Sequence, residues 1–149
     1  MSTDRAAAWA HRVLPTATAA HVTWNWTIAR PAELTGARRE LSRSLAAVPL
    51  PSGADEDDVE RLLLAFEELT SNGLRHSGAP IQVRVDSCDG GWMVDVSDAL
   101  PDRPPVPAVD RDPALGGLGL HLVARLSAAF GWTADGARKH VWAALVPAG

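Results

Sequence analysis

Two runs of alternating apolar and polar residues, joined by Asp89-Gly90-Gly91, constrain this chain more than any other feature. Ile81, Val83 and Val85 alternate with Gln82, Arg84 and Asp86; beyond the turn, Trp92, Val94 and Val96 share one face. Period two is strand spacing, and a glycine-rich turn between two such runs makes an antiparallel hairpin. A second pair is predicted at the end of the chain. A strand around Trp132–Ala134, a turn at Asp135-Gly136 and a last strand over Lys139–Val146 repeat the pattern. A further alternation, Val22, Trp24, Trp26 and Ile28 against Thr23, Asn25 and Thr27, predicts a half-buried strand near the start.

Helical spacing fills the gaps. Pro31 is placed to open a helix carrying Leu34, Arg38, Leu41, Leu45 and Val48, which Pro49-Leu-Pro-Ser-Gly ends. The acidic run Asp55–Asp58 suits the positive start of a second helix with an apolar stripe of Val59, Leu62, Leu63, Phe66, Leu69 and Gly73. It runs to about His76. Gly116-Gly-Leu-Gly opens a third helix, expected to end near Phe130-Gly131. The order is β-α-α-β-β-loop-α-β-β, with strands in hairpins and not in βαβ alternation. The expected fold class is α+β, a two-layer sandwich whose mixed, mostly antiparallel sheet has three helices on one face.

The expected organisation is a flexible leader over 1–20 and one domain over 21–149. Residues 99–115, with five prolines and no periodicity, read as a lid loop. A chain of 149 residues holds one core of useful size. The net charge of −4 without a Lys/Arg stripe argues against direct nucleic-acid binding. No apolar run reaches bilayer length, so no membrane partner is expected. One cysteine, Cys88, excludes an intrachain disulfide and fits a cytoplasmic setting.

Three segments carry candidate chemistry. Glu68 and Asn72, one helical turn apart, share a face expected to lie roughly opposite the apolar stripe. A carboxylate beside an amide oxygen suits a hard cation such as Mg²⁺; a plain solvated face is the alternative. Asp98 has the parity of Trp92, Val94 and Val96, so its carboxylate should end an inward apolar row and need a donor. The exocyclic amine of adenine is one candidate; a strand-end Asp turned to solvent or capping the loop is the other reading. Gly116, Gly117 and Gly119 stand where a loop becomes a helix, a place that suits phosphate, or a simple hinge. The scattered histidines, the tryptophans and the lone Cys88 read as structural.

Together these residues resemble a known family. Glu68-Leu-Thr-Ser-Asn72-Gly-Leu-Arg-His-Ser looks like the N-box helix of the GHKL (Bergerat-fold) ATPases. Asp98 is similar to the Asp opening their first glycine box. Gly116-Gly-Leu-Gly-Leu-His-Leu-Val resembles their second glycine box, and Arg138-Lys-His-Val-Trp-Ala their last strand. The resemblance covers about residues 20–146 and is nearest to stand-alone anti-sigma-factor serine kinases. It implies ATP and Mg²⁺ as cofactors, with Asn72 on the metal and Asp98 on adenine. Gly116, Gly117, Leu118, Gly119 and Leu120 would lie along the phosphates, with His76 at their border. Glu68 would be the catalytic general base toward a protein serine. The implied partners are a sigma factor and an anti-anti-sigma protein that the kinase phosphorylates. The other function kept open is an ATP-gated protein-binding module without chemistry. Relatives of this type commonly form homodimers, for which the Trp-rich first strand offers an edge. Two positions depart from the pattern. Leu100 stands where glycine is usual, which implies a looser backbone approach to adenine. His140 stands where a hydroxyl is frequent, which implies one adenine-side contact fewer.

Overall fold

The computed structural model describes residues 21–77, 80–101 and 118–148. The expected leader over 1–20, most of the expected lid loop, Gly116 and Gly117 lie outside the described residues. Five strands, β1 (Val22–Ile28), β2 (Ile81–Cys88), β3 (Gly91–Asp98), β4 (Ala129–Ala134) and β5 (Lys139–Leu145), form one sheet in the order β1-β2-β3-β5-β4. All its pairings are antiparallel, so the sheet is not mixed. Helices α1 (Pro31–Ala46), α2 (Glu56–Ser77) and α3 (Leu118–Leu126) complete the described elements. All three pack on one face of the sheet or on each other, giving an α+β sandwich.

Local chemistry sets the boundaries. At the start of α1, the Glu33 carboxylate accepts the N–H groups of Ala29 and Arg30, each at 2.9 Å, which satisfies donors that have no intrahelical partner. Before α2, Asp55 and Asp58 cap each other's N–H groups at 3.0 and 2.9 Å. Asp58 also takes Arg61 and the Ala148 N–H, so one carboxylate ties the start of α2 to the end of the chain. Gly91 sits at φ +146°, and a Cβ there would run into the Leu145 carbonyl of β5. Only glycine lets β3 begin so close to its neighbour.

The sheet face toward the helices carries Ile28, Ile81, Val83, Val85, Trp92, Val94, Val96, Val141, Ala143 and Leu145, all buried. Leu62, Phe66 and Leu69 of α2 and Leu41 and Leu45 of α1 close over them. Phe66 meets Trp26 edge to face, with centroids 5.3 Å apart and planes at 75°. That geometry is worth roughly 0.5–1.5 kcal/mol beyond burial.

Helix α3 departs from expectation. It stops at Leu126, and β4 begins at Ala129, so Phe130 and Gly131 are strand residues. The reason is pairing. Ser127 N–H closes the last helical turn on Val123 O at 3.0 Å, and Ala128 N–H already bonds Ala144 O at 2.8 Å. Phe130 then stands opposite Ala143 in the β4-β5 ladder.

Candidate functional site

Helix α2 brings the first candidate residues together, but not on an exposed face. At about 100° per residue, Asn72 and Glu68 lie about 100° and 140° round from the centre of the apolar stripe. They flank the stripe and do not oppose it. Helix α3 packs on α2, so the buried zone extends beyond the stripe. Asn72 is 5% exposed and Glu68 half-buried. The expectation of a free polar face is thereby corrected. The neighbouring Gly73 is what lets α2 sit so low. A Cβ there would come within 2.9 Å of Val96 Cγ1 and 3.3 Å of Ile81 Cδ1. Asn72 is therefore seated above β3, near the end that carries Asp98.

The Asn72 Oδ1 is buried with no hydrogen-bond partner among the described residues. A buried acceptor left unmet costs about 1–3 kcal/mol. Thr70 Oγ1 and the indole N–H groups of Trp26 and Trp92 share that condition, but Asn72 shares its flank of the helix with a carboxylate. An amide oxygen without a donor is what a hard cation takes as a ligand. Among the described residues, no group of three or more His, Cys, Asp or Glu side chains could hold a metal. A cation bound through Asn72 would take most of its shell from a ligand and water, and in that sense the residues fit Mg²⁺.

Glu68 meets the start of α3. A Cβ on Gly119 would lie 3.1 Å from Glu68 Cδ and 3.2 Å from Glu68 Cβ, so the absence of a side chain at 119 makes room for the carboxylate. Burial raises the Glu68 pKa above its ordinary value; the neighbouring Glu67 charge adds to the rise, and Arg75 opposes it. A carboxylate with heightened proton affinity at a helix junction is a reasonable proton acceptor. Of the other residues expected here, Leu118 opens α3, Leu120 is wholly buried in the core, and His76 stands in the last turn of α2.

Asp98 ends β3 on the core face, as its parity predicts, and is 4% exposed. Its donors come from the chain itself. The Leu100 N–H reaches Oδ1 at 2.8 Å, and Lys139 Nζ lies 3.3 Å from Oδ2. Lys139 is its cross-strand partner in the β3-β5 ladder and is equally buried. Sequence reasoning missed this lysine. The usable signal was parity, since Lys139 stands two residues before the inward Val141.

His140 points the other way. It pairs with Ser97 on the opposite face of the sheet. Its Nδ1 lies 3.0 Å from Asp95 and its Nε2 3.2 Å from Asp135. Hydrogen bonding to Asp95 raises its pKa above the ordinary histidine value, against the opposing effect of burial. The β5 residue that stands beside Asp98 is Lys139, and His140 lies on the other face of the sheet.

The sequence matches the model of the histidine kinase-like ATPase domain over residues 28–145. No curated protein sequence matches the chain. Solved structures do. One is the crystal structure of the RsbU and RsbW domains of Rv1364c from Mycobacterium tuberculosis, at TM-score 0.59 and 19% identity. That likeness covers 84% of this chain and 32% of the other, so this chain spans about a third of that protein's length. At this identity the likeness bears on fold alone.

Proposed function

The chain belongs to the histidine kinase-like ATPase domain family, and from that premise we propose that it is an Mg²⁺-dependent ATP-binding regulator that phosphorylates a serine of a protein partner. The carrying observation is the buried, unpartnered Asn72 Oδ1 on the same flank of α2 as the half-buried Glu68. Asn72 would hold Mg²⁺, which supplies charge neutralisation to the phosphates when bound. Asp98, at the inner end of β3, would read the base. Gly116, Gly117 and the α3 start would lie along the phosphates, where backbone N–H groups and the helix dipole favour anions.

Glu68 is the residue proposed to act on the substrate. Its carboxylate would accept the proton of the serine hydroxyl, and burial makes it a better acceptor than a solvated glutamate. In phosphoryl transfer most of the catalysis comes from positioning and electrostatics, so a single base on a rigid helix is sufficient chemistry for the protein to supply. The motif resemblance supports an anti-sigma factor as the biological setting, with an anti-anti-sigma protein as phosphoacceptor and a sigma factor as the second partner. A homodimer in the cytoplasm belongs to the same proposal. Among the described residues no helix is long and apolar enough to cross a membrane.

The test is transfer from labelled ATP to candidate anti-anti-sigma proteins, comparing wild type with Glu68→Gln. Serine phosphorylation that falls by about 100-fold or more in the variant, with ATP affinity kept, is expected for a general base. ATP binding without transfer to any partner would reduce the protein to an ATP-gated binding module.

A further inference from the structure

We infer that the outer face of the sheet, turned away from the helices, is an intramolecular docking surface for residues 1–20, with Trp142 as the side chain they cover. The inference does not depend on the proposed nucleotide site.

Trp142 carries the argument. It stands on β5 between Val141 and Ala143, which face the helices, so its indole points to the other side. Among the described residues all three helices lie on the Val141 side. A side chain on an uncovered sheet face keeps one flank in water, yet Trp142 is 2% exposed. It is also outside the hydrophobic core that the helices and the inner face build. Its cross-strand neighbours do not hide it. On β3 stands Asp95, whose carboxylate is engaged by His140 at 3.0 Å, and on β4 stands Gly131, which has no side chain. An indole is among the largest apolar groups, so removing it from water on this face takes a further layer of chain. The burial exists within a single chain, and a second copy is not its source.

Two long stretches lie outside the described residues, 1–20 and 102–117. The second is tied at both ends on the helix side. It follows Asp98, whose inward carboxylate accepts the Leu100 N–H, and leads into α3, which packs on α2. To cover Trp142 it would have to round the end of the sheet twice. The first stretch joins β1, where the His21 N–H bonds Ser87 O at 2.8 Å. Asn25, Arg84, Asp95 and Trp142 form one row through the ladders, so Trp142 lies three strands across and three residues along from Val22. At about 4.8 Å per strand and 3.3 Å per residue the span is roughly 17 Å, or about five or six extended residues. Residues 1–20 exceed that reach and supply Trp9, Val13 and Leu14 as apolar groups. With this face occupied, a protein partner is left with the helices and the sheet edges β1 and β4.

The test is photo-cross-linking of the full chain, with methionine replaced by its diazirine analogue and no other change. The chain has two methionines, Met1 and Met93. Met93 is half-buried on the outer face, opposite Ala144 and diagonal to Trp142. Irradiation and peptide mapping should join Met93 to peptides of residues 1–20 within one chain. Cross-links from Met93 that go only to residues 102–117, that only join two copies, or that do not form overturn the inference. A second measurement reads release of the segment. Trp142→Ala should speed trypsin cleavage after Arg12 by about 10-fold or more, because cleavage follows the undocked population. Cleavage after Arg61, in α2, should stay as slow as in wild type. If the Ala variant does not fold, Trp142→Leu should shift Arg12 cleavage in the same direction. Equal Arg12 cleavage in wild type and a folded variant overturns the inference, whatever the nucleotide affinity.

Discussion

Gly73→Ala tests how closely α2 is seated on the sheet. In an exposed helix interior this change stabilises by about 0.8–1 kcal/mol, because alanine has the better helix propensity. Here the added Cβ meets Val96 Cγ1 at 2.9 Å and Ile81 Cδ1 at 3.3 Å. Val96 and Ile81 are buried, 3% and 0% exposed, and both are β-branched and stiff. Neither can step aside without disturbing the sheet. Overpacking of this kind costs about 1–3 kcal/mol. The propensity gain offsets part of that, leaving a net loss of roughly 0–2 kcal/mol, centred near 1. For a chain of this length 1 kcal/mol lowers Tm by about 2–4 °C. Relief by lifting α2 would also displace Asn72, so Mg-ATP affinity should fall together with stability. Urea denaturation and nucleotide titration of the same preparation measure both. A variant more stable than wild type by the full propensity gain, with unchanged nucleotide affinity, would refute the close seating.

Gly119→Ala should push Glu68 from its place, because the new Cβ meets its Cδ and Cβ at 3.1 and 3.2 Å. A displacement on the order of 1 Å should lower the initial rate of phosphotransfer by about 100-fold, with ATP affinity less affected. Asp58, held down to about 2 from 3.8 by the Asp55 N–H, then Arg61 and the Ala148 N–H, contributes stability that is present above the ordinary carboxylate pKa. That contribution should be lost as pH falls from about 4 toward 2, and Asp58→Asn should flatten the acid limb of a Tm-against-pH curve. His140 has the opposite sign. Its pKa is raised by Asp95 and Asp135, so its contribution is complete below the ordinary histidine value and lost as pH climbs through the raised one. His140→Gln should remove that decline from the same curve.

Much of the fold was legible because the hairpins advertise themselves. The Asp89-Gly90 turn, the parity of Trp92, Val94 and Val96, and the stripe of α2 all follow from local periodicity. The end of α3 was not legible. Phe130 and Gly131 continue a helical pattern acceptably, and only the ladder to β5 pulls them into a strand. The placement of the candidate site residues was legible, their partners less so. Glu68, Asn72 and Asp98 stand at the spacing and parity expected. That Asn72 is buried depends on α3 lying against α2, which no window of α2 contains. The Lys139 pairing with Asp98 depends on β5 adding beside β3, a register set by residues 41 positions apart in the chain. Once β3 and β5 are paired, parity alone puts Lys139 inward and His140 outward.

The central claim is that Asn72 holds the metal of a bound nucleotide. Titration of ATP with and without Mg²⁺, for wild type and Asn72→Ala, tests it most directly. Wild type should bind ATP more tightly with Mg²⁺, and the variant should lose that dependence while remaining folded. Equal Mg²⁺ dependence in the two proteins would contradict the account.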